Sequence, residues 1–179
     1  MIYTRIESAL TVCEEHIAKL DPTDLAEKEL ETYIVSGLIL LIVSEYEEHL
    51  ESLFIRRAEA CGDSSACNYI KLTLNQKFRS PDLSKIHQTL KNFDDAYLSN
   101  FKQEIENSPK HAAWDSVMKA RHAVVHKKGQ LNMTFRELKN IYPLTKEIIK
   151  KLSRHSAYMD SKNKITQLPP KYLQTVKGI

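Results

Sequence analysis

The stretch LILLIV, Leu38 to Val43, runs through six apolar residues without a polar interruption. Such a run is apolar on every side of a helix, as expected of one surrounded by others. On either side of it Leu30, Tyr33, Ile34, Leu50, Leu53 and Phe54 keep helical spacing, so the run is the middle of one very long helix. Asp24 supplies an N-cap and Cys61-Gly62 a stop. The pattern therefore predicts a helix from Asp24 to about Ala60.

Working outward, Ile2, Ile6, Leu10, Ile17 and Leu20 mark a first helix that stops near Asp21-Pro22. Between Ser64 and Ser108 the spacing reads as shorter helices, broken near Ser80-Pro81 and again over Asn92 to Asp95. Ser108-Pro109 opens another helix, with Ser108 as N-cap and Pro109 at the first helical position, and it runs to Lys127-Lys128-Gly129. Thr134-Phe135-Arg136-Glu137 has the pattern of a capping box, and Leu138, Ile141, Ile148, Ile149 and Leu152 follow on one face. Pro143 is expected to kink this second long helix. After His155 the chain turns polar and lysine-bearing, which predicts a loosely ordered basic tail over 156–179. No repeat and no useful strand alternation is present. The expectation is one all-α domain over 1–155, a helical bundle with two long central helices.

The chain has 179 residues, enough for one domain with a sizeable core, and only four glycines and six prolines, which suits long helices. Cys13, Cys61 and Cys67 form an odd set without a CxxC pair, so neither a disulfide framework nor a zinc ribbon is indicated, and a reduced setting fits. The amino terminus carries acids where a signal peptide needs an apolar run, and Ile34 to Val43 falls short of the roughly 20 residues that span a bilayer. A cytoplasmic protein without a membrane partner is expected.

A net charge of +3 conceals an asymmetry. Residues 1–60 carry 13 acidic side chains against 5 basic, whereas residues 109–179 carry 15 basic against 4 acidic. The basic part can draw a polyanion such as RNA. Packed helices with solvated outer faces explain the same asymmetry more simply.

The stretch ARHAVVHKKG, Ala120 to Gly129, raises a sharper question. At about 100° per residue from Trp114, Met118, Arg121 and Val125 all fall within about 40° of it. Arg121 thus lies in the centre of a stripe otherwise suited to a core, where an unpaired charge is costly. Either it pairs with an acid of the long helix, such as Glu45, Glu47, Glu48 or Glu51, or it opens onto a site where a phosphate or a partner chain compensates it. His122 and His126, four apart, share a flank of the same helix. Two such histidines can hold a metal, but Ala123 replaces the glutamate of HExxH and no third ligand is evident, so no cofactor is expected. A histidine in the last turn also has an ordinary role facing the helix dipole.

Arg121-His122-Ala123-Val124-Val125-His126, at the end of AAWDSVMKARHAVVH, resembles the R-x4-6-H signature of the HEPN superfamily. LLIVSEYEEHLESLFIRRAE resembles the long second helix of its RiboL-PSP-like subgroup. The resemblance implies a helical bundle that dimerises through its motif helices and cuts RNA without a metal, by attack of the 2′-hydroxyl on the adjacent phosphate. Carried over residue by residue, Arg121 matches the motif arginine and His126 the motif histidine, while His122 takes the variable polar position as an auxiliary active-site residue. Members of this kind include toxins and antiviral effectors, so a cognate antitoxin is an implied partner; others are silent modules that bind RNA or protein.

The residue types agree with that chemistry. Histidine moves protons near neutrality, and a guanidinium clamps phosphate. Arg121 and His126 lie five apart, about 140° around the helix, so one copy does not readily aim both at one atom. A twofold mate removes the difficulty. Lys119, Lys127 and Lys128 are candidate RNA contacts, whereas Arg136, Lys139, Lys146, Lys150, Lys151 and Arg154 on the last helix read as ordinary solubility. In EYEEHLE, Glu45 to Glu51, the carboxylates read as a solvated face or as partners for Arg121, and Tyr46 as core.

Overall fold

A computed structural model of the chain describes residues 2–60, 62, 64–93, 95–126 and 131–166. Seven helices follow in order: α1 (Ile2–Ile17), α2 (Leu25–Glu59), α3 (Ser64–Lys77), α4 (Leu83–Phe93), α5 (Asp95–Ile105), α6 (Pro109–His126) and α7 (Phe135–Thr166). No strand occurs among the described residues. The two long helices are α2 and α7, with 35 and 32 residues.

Local chemistry fixes most of the boundaries. Asp24 caps α2 by accepting from the Ala26 N–H at 2.7 Å and the Glu27 N–H at 3.3 Å. Past its other end, Gly62 takes φ +78°, the left-handed conformation that glycine adopts at no steric cost. Thr134 and Glu137 close the expected capping box: Glu137 Oε2 accepts from the Thr134 N–H at 2.8 Å, and the Glu137 N–H donates to Thr134 Oγ1 at 3.2 Å. Ser108 behaves differently from expectation. Its hydroxyl donates backward to the Ile105 carbonyl at 2.7 Å, so it closes α5 as well as preceding α6.

Helix α7 passes through Pro143 and continues to Thr166, so residues 156–166 prolong the helix beyond the boundary drawn at 155. Residues 167–179 of the expected tail lie outside the described residues.

Around the middle of α2 the other helices assemble. Val35, Leu38, Ile39, Ile42, Val43, Tyr46 and Leu50 are all buried, and α1, α3, α6 and α7 pack against this helix. Trp114 of α6 is fully buried, stacks on Tyr46 with ring centroids 5.4 Å apart, and donates from Nε1 to the Pro81 carbonyl at 2.9 Å. That contact holds α6 against α2 and the start of α4 at once. Tyr46 reaches the third partner, bonding Thr145 of α7 at 2.8 Å.

The charge asymmetry resolves into packing. Glu14 and Glu7 of α1 pair with Lys139 and Lys146 of α7, and Glu104 of α5 with Lys151. Lysines of the last helix are thereby engaged within the chain. The run EYEEHLE is a solvated face only in part: Glu45 is buried and pairs with Arg5 at 2.7 Å, and Tyr46 is core. No helix among the described residues is long and apolar enough to cross a membrane.

Candidate active site

The apolar stripe of α6 loses its cover as it nears the helix end. Trp114 and Val117 are fully buried and Met118 nearly so, but the Arg121 side chain is 22% exposed and Val125 is 48% exposed. Arg121 therefore stands where the stripe runs out of core, one turn before the surface. This answers the question its position posed, because the guanidinium is not sealed among apolar groups.

Of the four acids within α2 that were candidates, the structure selects Glu47. Its Oε1 lies 3.9 Å from Arg121 Nη2, beyond hydrogen-bond reach, and both side chains keep about a quarter or less of their surface exposed. The same oxygen accepts from the Ser80 N–H at 2.6 Å. Ser80 holds φ +51°, a left-handed conformation that costs a non-glycine residue, so this bond steadies a strained turn between α3 and α4. Glu47 is anchored elsewhere and attends Arg121 only through space. A pair of this kind contributes at most on the order of 1 kcal/mol, whereas each charge-assisted bond to a phosphate is worth roughly 1.5–3 kcal/mol.

His126 is the last residue of α6 and is exposed, as is His122. Their rings share a flank, with centroids 4.6 Å apart. Arg121 turns toward α2, so the two motif side chains leave the helix in different directions, as the spacing indicates. No cluster of three or more metal-ligating side chains occurs among the described residues. Lys119 is exposed on the same helix. Lys127 and Lys128 lie outside the described residues.

Beside His122 opens a cleft of about 560 Å³ between α6 and the start of α4, walled by Ser80, Lys85, Asp115, Lys119 and His122. The sequence reading did not single out Ser80 or Lys85 as site residues. The helix break at Ser80-Pro81 was the only signal there, and it speaks of backbone, not of what faces it.

The RiboL-PSP-HEPN family model matches residues 4–158. The chain belongs to the RiboL-PSP-HEPN family. This agrees with the helical fold. The matched span covers nearly all of α1, all of α2 to α6 and most of α7, so the family assignment concerns the whole bundle rather than the short motif. Neither the curated proteins nor the solved structures contain a match to this RiboL-PSP-HEPN chain.

Proposed function

We propose that this RiboL-PSP-HEPN protein is a metal-independent endoribonuclease acting as a homodimer in the cytoplasm. Arg121 binds the scissile phosphate and stabilises the charge that develops on it. His126 and the same residue of a second copy divide the proton transfers: one takes the proton of the attacking 2′-hydroxyl, the other protonates the departing 5′-oxygen. The P–O bond to the 5′-oxygen breaks as the bond to the 2′-oxygen forms, leaving a 2′,3′-cyclic phosphate and a 5′-hydroxyl. His122 completes the polar edge. A role as a toxin or antiviral effector, restrained by an antitoxin, rests on the family alone.

The observation that carries this reading is the 3.9 Å separation at Arg121, an arginine attended but not hydrogen-bonded by Glu47. Support for a second copy comes from exposed apolar residues on the two helices that this pair joins. On α2, Leu30, Tyr33 and Leu40 are 47%, 65% and 39% exposed along one face, with the bare backbone of Gly37 among them. On α6, Val125 lies one turn beyond Arg121.

The Glu47 contact also favours a second reading, a silent module that binds RNA or a protein and uses Arg121 structurally. One experiment separates them. The purified protein is incubated in excess EDTA with an RNA oligonucleotide and with its 2′-deoxy counterpart. A nuclease of the proposed kind cuts only the former; binding of the RNA without cutting sustains the silent module.

A further inference from the structure

The cleft beside His122 carries chemistry that the motif does not use. We propose that it is the subsite for the second nucleotide along the strand from the scissile phosphate, one that a dinucleotide lacks, an inference that rests on the nuclease reading above.

Position is the first argument. His122 follows Arg121 in sequence, lies against His126 and forms part of the cleft wall, so a strand with its phosphate at the motif runs on into this opening. Size is the second. About 560 Å³ falls within the roughly 300–1,000 Å³ that accommodates small ligands.

The third argument is which groups remain available. Lys85 Nζ donates to the Arg79 and Ser80 carbonyls at 3.0 and 3.1 Å, and Asp82 Oδ1 accepts from the Ser84 hydroxyl and the Lys85 N–H, so these residues build the floor. The Lys119 side chain makes no hydrogen bond or ion pair among the described residues, and the Asp115 carboxylate reaches only His111, at 3.7 Å. An ammonium and a carboxylate one turn apart match a nucleotide, whose phosphate takes the cation and whose ribose hydroxyl or base amine takes the anion. The floor also communicates with the motif: Ser80 bonds Glu47, and Glu47 faces Arg121.

The test compares a dinucleotide, which offers one phosphodiester and little else, with a hexanucleotide containing the same linkage. Wild type, Lys119→Ala and Asp115→Asn are assayed on both, with affinity for a non-cleavable 2′-O-methyl hexanucleotide measured alongside. Wild type cuts the hexanucleotide faster, and each variant loses about tenfold of that preference and of the affinity. An unchanged preference, or an equal loss on both substrates, overturns the subsite. Should wild type cut neither RNA, the nuclease reading fails by itself; the cleft is then kept as a nucleotide-binding site if the variants weaken binding about tenfold and is rejected if they do not. A Lys119→Glu variant that changes oligomeric state instead shows the cleft covered by a second copy, which also overturns the proposal.

Discussion

Glu47 Oε1 accepts the Ser80 N–H at 2.6 Å and stands 3.9 Å from Arg121 Nη2, so one carboxylate oxygen ties the left-handed turn before α4 to the motif arginine. The short contact is the structural one. Glu47→Ala removes the acceptor of a backbone donor in a strained turn and costs about 1–3 kcal/mol. Glu47→Gln keeps a carbonyl oxygen in place and costs less. Urea denaturation of the two variants checks the order, and equal losses contradict it.

The buried bond between Tyr46 and Thr145 has a direction. Thr145 Oγ1 donates its one proton to the Tyr142 carbonyl at 2.8 Å, so the Tyr46 hydroxyl must be the donor in the 2.8 Å bond between them. Burial also pushes the Tyr46 phenol far above its usual range, which keeps that proton in place. Thr145→Val strands a buried donor and costs about 1–3 kcal/mol, whereas Tyr46→Phe removes the donor with its bond and costs about 1 kcal/mol. Chemical denaturation of the pair tests the ranking.

Stability depends on pH through two histidines. His49 Nε2 donates to Ser153 Oγ at 2.9 Å, since the Ser153 proton is engaged by the Ile149 carbonyl; burial, with Arg56 nearby, holds His49 below its usual 6.5. Burial likewise lowers His87, reinforced by Lys102 and opposed by Glu106, and its Nε2 is buried without a partner. In both cases the unfolded chain binds the proton more readily. Their contribution is therefore complete above about pH 6.5 and is lost as the pH falls below it toward the folded values. Melting curves between about pH 7 and about pH 5 show the decline, and replacing both residues by glutamine flattens it.

The exposed face of α2 predicts an oligomer. Leu40→Glu places a charge beside Gly37 and Tyr33, where a second copy has to pack, and shifts the protein toward monomer with loss of cleavage. Light scattering after gel filtration reads the first effect. A Leu40→Glu dimer with unaltered cleavage moves the interface elsewhere.

Helix ends were legible in the sequence because their causes are local. Asp24, Gly62 and the Thr134-Glu137 box each act within a few residues of the boundary they set. Contacts between helices were legible only as sets. Any of four acids suited Arg121, and the selection of Glu47 depends on how α2 crosses α6, a register fixed by the Tyr46–Trp114 stack. The same holds for the stripe of α6. Periodicity places Arg121 in line with Trp114, but how far the core extends along that line depends on neighbouring helices. The cleft was hidden for that reason as well, since Ser80 and Lys85 meet Asp115 and Lys119 only through tertiary packing.

Cleavage of a single RNA in excess EDTA by wild type, Arg121→Lys and His126→Asn, with the product ends identified, bears most directly on the role assigned to the motif. Wild type yields 2′,3′-cyclic phosphate ends, and each variant, folded and melting within a few degrees of wild type, cuts at least about 100-fold more slowly. Undiminished cutting by both variants contradicts the assignment of Arg121 and His126.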